Sequence, residues 1–213
     1  LRWVLDGLLA LPDTAIGSQR RTTWTRFRGE IPPIPLGGTT GSYYVKPAEI
    51  VRGTICNYEN PELYAVFPFR FYGVGKPDLD IGLNTFSRRI NTNNFCWTQA
   101  PIQAALLGLS SQARTMLAQR YAAKDSSSRF PAFWGPNYDW TPDEDHGGVA
   151  NMALQSMLMQ CEGSAIRLLP AWPDDLDVRF KLRAPQSTTV EGKFVGGRLV
   201  SLKVSPESRR KDV

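Results

Sequence analysis

The sequence predicts a mainly α-helical chain that closes in an antiparallel β region. Three observations carry that prediction. Two adjoining stretches, WTQAPIQAALLGL and SSQARTMLAQRYAAK, repeat apolar residues at helical spacing and read together as a helical hairpin. The stretch DVRFKLRAP alternates Val178, Phe180 and Leu182 with Arg179, Lys181 and Arg183, the period of a half-buried strand. TTVEGKFVGGRLVSLKV then reads as a hairpin turning at Gly196-Gly197.

The elements follow in order. Val4, Leu5, Leu8 and Leu9 give the first eleven residues a helical spacing that Pro12 ends. Residues 13–58 hold no sustained period and read as one long irregular stretch. PELYAVFPFRFYG is helical in pattern, with Pro68 expected to end or kink it, and DLDIGLNTFSRR reads as a further helix. In the hairpin, Ile102, Ala105, Leu106 and Leu109 share one face; Ser110 is the expected N-cap of the second helix, whose inner face carries Ala113, Met116, Leu117 and Tyr121. After the loop DSSSRFPAFWGPNYDWTPDEDHGG comes a helix with Val149, Met152, Ala153 and Met157 inward. After Gly163 the pattern changes: AIRLLPAWP is short and bounded by prolines, and the final hairpin is expected to set Val200, Leu202 and Val204 on one face. The expected division is therefore a helical portion, 1–163, and an antiparallel β-domain, 164–213.

Composition narrows the function classes. With 42% hydrophobic and 21% charged residues the chain can bury a core and does not read as disordered. The net charge of +5 is mild, and the basic groups at Arg20, Arg21, Arg26 and Arg28 and at Arg209, Arg210 and Lys211 sit on no nucleic-acid module, so no nucleic-acid partner is expected. Cys56, Cys96 and Cys161 have neither disulfide nor zinc spacing. No apolar run is long enough to span a membrane. The chain begins at Leu1 inside a helical pattern and is expected to be the C-terminal part of a longer protein, with the missing N-terminal half as a partner.

Two clusters carry chemistry. In NYDWTPDEDHGG, four carboxylates and the only histidine precede a helix. Asp143, Glu144 and Asp145 could simply favour the helix entrance. Trp134, Tyr138 and Trp140 beside carboxylates and amides suit a sugar, whose apolar face stacks on rings while polar groups bind its hydroxyls. A metal site using Asp143, Asp145 and His146 is a third reading, with no second histidine to support it. The other cluster, PAEIVRGTICNYENPELY, carries Glu49, Glu59 and Glu62. It could supply the second carboxyl group that glycoside hydrolysis needs, although Glu59 and Glu62 also suit capping ahead of Pro61. YGVGKPD lacks the context of a phosphate loop, and no G-x-S-x-G elbow is present.

ENPELYAVFPFRFYG, APIQAALLGL, RFPAFWGPNYDWTPDEDHGG, ALQSMLMQ and IRLLPAWP together resemble the C-terminal half of glycoside hydrolase family 95, the α-L-fucosidases and α-L-galactosidases, from about Glu49 onward. The resemblance implies a partial (α/α)6 barrel followed by a small antiparallel β-domain. It implies an inverting acid/base glycosidase that releases a terminal sugar, needs no cofactor or metal, and is periplasmic or secreted. Counting back without gaps from Met157 sets the family's water-activating aspartate on Asp145; one gap moves it to Asp143. The general acid falls most nearly on Glu49. His146 and Gly147 stand where the family has Gly and Asn, and Asn57, Glu59 and Glu62 replace family histidines. The expected sugar-binding residues are Trp134, Asn137, Trp140 and His146, with Asn57 and Glu59 from the other cluster. The alternative is a non-catalytic carbohydrate-binding or scaffold protein that keeps the helical toroid.

Overall fold

The computed structural model describes residues 1–51, 59–123 and 144–213. They form two compact units, 1–36 and 37–213.

The first unit holds three helices, α1 (Arg2–Leu9), α2 (Asp13–Ile16) and α3 (Ser18–Glu30). Helix α3 lies inside the stretch that reads as irregular. It has no buried residue, so it lacks the apolar stripe that announces a helix in sequence. Arginines hold the unit instead. Arg21 pairs with Asp13 and donates to the Leu9 carbonyl (2.8 Å), one of the orphan acceptors at the end of α1, and to that of Leu11. Arg28 pairs with Asp6, and Arg2 reaches the Ile31 carbonyl at 3.1 Å. Two members of the expected basic patch, Arg21 and Arg28, are thus internal braces.

The second unit opens at a short ladder, β1 (Leu36–Gly37) and β2 (Tyr44–Val45). A 3₁₀ turn (Pro61–Ala65) follows, then α4 (Leu79–Arg88), α5 (Ala100–Leu106), α6 (Ser110–Ala122) and α7 (Asp145–Leu158). Ser110 is the first helical residue of α6 and makes no side-chain cap; Leu109 stands at the cap position. Helices α5, α6 and α7 pack on one another around a core that includes Ile102, Ala105, Leu117, Ala153 and Met157. Met152, expected inward, is 46% exposed, because Ala150, Ala153 and Met157 take the inner face of α7.

The chain leaves α7 directly into β3 (Met159–Glu162), which pairs antiparallel with β4 (Ala165–Leu168). A three-stranded antiparallel sheet follows, in order β5 (Val178–Ala184), β6 (Thr188–Val195), β7 (Arg198–Ser205), and a 3₁₀ turn (Glu207–Asp212) closes the chain. Val195 pairs with Arg198, so Gly196 and Gly197 form a two-residue turn; their φ of 56° and 75° is the left-handed geometry such a turn demands. A bulge interrupts this hairpin: Lys193 pairs with Ser201 but Phe194 pairs with Leu199, leaving Val200 unmatched. Val200 is therefore 57% exposed, where strict alternation expected it beside Val204. Phe180, Val190 and Val204 fill the inner face of the sheet. Gly192, opposite Phe180, leaves room for the Phe180 ring where a Cβ would overlap it.

The partial (α/α)6 barrel does not form among the described residues. Instead of a ring of hairpins there is one cluster of helices, α5, α6 and α7 with α4 adding Phe86 to their core, and short ladders and 3₁₀ turns occupy stretches that would have to supply further helices. The described chain is a mixed α and β structure with three small antiparallel sheets, not a mainly α toroid with a β-domain appended.

Candidate functional site

The polar centre of the second unit is built on Arg120. This α6 residue is fully buried, at 0% exposure, in a helix whose moderate apolar pattern gives no warning of it. Its guanidinium donates to Asn94 Oδ1 (2.9 Å), to the Cys96 carbonyl (2.8 Å), to the Thr98 carbonyl and hydroxyl (2.5 and 2.8 Å), and to the Phe95 and His146 carbonyls (3.3 and 3.2 Å). Burial pulls its pKa down to about 10, against the opposing pull of Cys96 and Asp145, so it stays charged at neutral pH. A planar fork of donors meets acceptors from two remote segments here, which no other side chain can do.

The first segment is the loop 95–99. Thr98 closes it locally, its hydroxyl donating to the Phe95 carbonyl (2.7 Å) and accepting from the Phe95 amide (3.1 Å). The second is the start of α7. His146 is 1% exposed, and its Nε2 lies 2.9 Å from the Arg120 carbonyl. That acceptor fixes the neutral tautomer with the proton on Nε2, and burial lowers the pKa of the ring despite the bond. Nδ1 has no hydrogen-bond partner among the described residues. Asp145 is exposed in the first turn of α7, close enough to Arg120 to favour its charge.

Facing this brace is a small polar cleft lined by Glu59, Asn60, Tyr64, Trp97, Gln99 and Gln103, with Thr98 behind. Its volume is about 20 Å³, room for one water. Tyr64 donates from its hydroxyl to Glu59 Oε2 at 2.7 Å. Burial, then the bond to Glu59 and its charge, push the phenol up to about 12, so Tyr64 remains a donor throughout the physiological range. The Oε1 atoms of Gln99 and Gln103 have no hydrogen-bond partner among the described residues, and Gln103 is only 3% exposed. Asn60 is braced by a reciprocal pair with the Asn91 backbone, Nδ2 to the carbonyl at 2.9 Å and Oδ1 from the amide at 3.0 Å. A carboxylate, two unpaired amide oxygens and an indole thus share one wall, an acceptor-rich arrangement suited to hydroxyl groups or to a held water.

The structure places the sequence-expected residues unevenly. Glu59 lies in the cleft. Asp145 and His146 join it through Arg120, which grips both the His146 carbonyl and the Thr98 loop. Glu49 is exposed and pairs with Lys46 at 3.4 Å. Asn57, Trp134, Asn137 and Trp140, like Asp143, lie outside the described residues. The pKa of Glu62 is raised, chiefly by burial. Tyr64, Trp97, Gln99, Gln103 and Arg120 were not singled out in sequence. Gln103 leaves a signal, an amide inside the apolar run of APIQAALLGL.

Among the described residues no cluster of three or more His, Cys, Asp or Glu side chains could hold a metal ion, and no helix is long and apolar enough to cross a membrane. No family model matches the chain, and no curated protein matches it either.

Proposed function

We propose that the chain carries a glycoside-hydrolysing site that releases a terminal sugar, an α-L-fucoside or α-L-galactoside by resemblance, through inverting acid/base chemistry. The observation that carries this reading is the meeting of Glu59, Tyr64, Trp97, Gln99 and Gln103 in one polar cleft. In this reading Glu59, held by the Tyr64 hydroxyl, and the two unpaired amide oxygens take sugar hydroxyls or the attacking water, while Trp97 offers a ring to the sugar. An inverting pair stands roughly 6.5–9.5 Å apart, with one carboxyl protonated and the other activating water. Asp145 is the proposed water-activating group. Glu49 and Glu62 compete for the acid role; burial favours the protonated form of Glu62.

The test is turnover of a panel of terminal glycosides by the full chain and by E49Q, E59Q, E62Q and D145N. The expected result is hydrolysis by the wild type, a loss of about 100-fold or more in D145N and in one of E49Q and E62Q, and weakened sugar affinity in E59Q. Sugar binding without turnover, weakened by E59Q, would instead establish a non-catalytic carbohydrate-binding protein. One observation favours that second reading: the cleft has room for one water only, so a sugar would meet its rim rather than enter it for cleavage. Sugar affinity and turnover both unchanged in E59Q would remove the cleft from either function.

A further inference from the structure

The register of the three-stranded sheet sorts its charges onto one side. Inner positions carry Phe180, Val190 and Val204. On the outer face Arg179 pairs with Lys193 and then Ser201; Lys181 pairs with Glu191 and then Lys203; Arg183 pairs with Thr189 and then Ser205. Five cations therefore share a face with one carboxylate. The excess of four positive charges on this small surface compares with a net +5 for the whole chain. Like charges opposite one another across strands repel and weaken a sheet. Arg179 beside Lys193 is such a pair, and neither makes an ion pair with a described residue that could offset it. Glu191 is bonded to Lys181 at 3.0 Å and lies in the field of Lys203 and Arg179 as well, which together hold its carboxyl below the usual range. One carboxylate shared among three cations leaves most of the positive charge unanswered.

We propose that this outer face binds an acidic polysaccharide, one carrying carboxylate or sulfate groups along its length. A shallow groove of about 270 Å³ runs over it, bordered by Arg179, Glu191, Lys193, Ser201 and Lys203, with Phe180 and Gly192 beneath. Neighbouring strands set cations about 4.8 Å apart and alternate residues along a strand about 7 Å apart, so a chain of regularly spaced anions meets several of them at once. Arg179 and Arg183 offer planar forks for carboxylate or sulfate, and the lysines offer mobile point charges. The outer rows carry no aromatic side chain, and the one aromatic that lines the groove, Phe180, is packed into the inner core at 7% exposure, so the surface lacks the exposed stacking platform that single-stranded nucleic acid uses. The choice of a polysaccharide over other polyanions rests on the carbohydrate reading of the Glu59 cleft; the charge distribution stands without it.

The experiment is equilibrium binding of the full chain to polygalacturonate, dextran sulfate, uncharged dextran and single-stranded DNA, at about 0.05 M and about 0.5 M salt. The expected result is binding to at least one acidic glycan, none to dextran, and a loss of about tenfold or more at the higher salt. K181Q/K203Q and R179Q/K193Q should each weaken binding by about tenfold, and R26Q, in the other compact unit, should not. These positions are exposed, so the variants keep the fold, which circular dichroism verifies. Failure of both acidic glycans to bind, unchanged affinity in the two double variants, or tighter binding to DNA would each overturn the proposal. Binding is read without turnover. A chain that binds polygalacturonate but hydrolyses nothing would remove the hydrolase reading and leave this one standing. A chain that cleaves small glycosides yet ignores both acidic glycans would do the reverse.

Discussion

Arg120 and His146 show how a single buried side chain can organise a site it does not itself line. Six acceptors lose a donor if Arg120 is removed, of which the Phe95 carbonyl and the Thr98 hydroxyl keep another, and buried carbonyls left without partners are costly. Arg120→Met should lower the unfolding free energy by about 3 kcal/mol or more in urea titration. Arg120→Lys should not restore it, because three donors on a flexible stem cannot reach both segments. His146 gives the site a pH dependence whose sign follows from its burial. Its pKa is lowered in the folded chain, so the unfolded chain binds the proton more readily, and stability falls as pH drops below the unfolded value near 6.5. The loss continues, at up to roughly 1.4 kcal/mol per pH unit, until the pH passes the lowered folded value. Melting temperatures followed from about pH 7.5 to 5 should fall more steeply for the wild type than for His146→Gln. Equal slopes would show that another group governs the acid response.

At the scale of elements, legibility followed the apolar pattern. Helices α4 and α7 and strands β5, β6 and β7 are readable because each buries a face with its own period; α5 is buried all round, and in α6 Ala113 and Leu117 face inward as expected while Tyr121 is 44% exposed and Arg120 is buried beside them. Helix α3 is not readable, because arginine-to-carbonyl bonds rather than an apolar face hold its unit together. Val200 was misplaced because a bulge resets alternation, and a bulge leaves no mark in the sequence. The Gly196-Gly197 turn was legible, and its geometry yields a prediction. Gly197→Ala forces a side chain into the left-handed region at φ 75° and should cost about 1–2 kcal/mol by urea denaturation, with the β5–β6 pairing retained in amide exchange. Gly192→Ala acts by another route, displacing the Phe180 ring from the core, and should cost about 1–3 kcal/mol in the same measurement.

At the scale of the molecule, the candidate site was half legible. Glu59, Asp145 and His146 stood out as charged groups among turn residues, but their connection runs through Arg120 and the loop 95–99, pairings that only tertiary structure brings about. The expected toroid fails for a related reason: similar helical stretches need not assemble into similar rings, and here α4 to α7 share one core without forming repeated hairpins. Within residues 37–213, Leu154 and Trp172 pack against both the helical core and the sheet core. Trp172 is further fixed by its indole bond to the Leu176 carbonyl at 2.7 Å. These two residues make the cores one cooperative body. Helical circular dichroism and sheet amide protection should therefore be lost together on heating, and Leu154→Ala with Trp172→Ala should separate the two transitions. The bulge at Val200 has a consequence of a different kind. Strand β7 borders an open sheet and carries Leu199 and Val200 toward solvent, the combination that invites strands of other copies to add on. The unmatched residue twists that border out of line, and Arg210 from the closing turn occupies the Leu202 carbonyl at 3.2 Å. The irregularity that turns Val200 outward thus works against strand addition along this edge, and restoring a regular register by deleting Val200 should raise light scattering on mild heating.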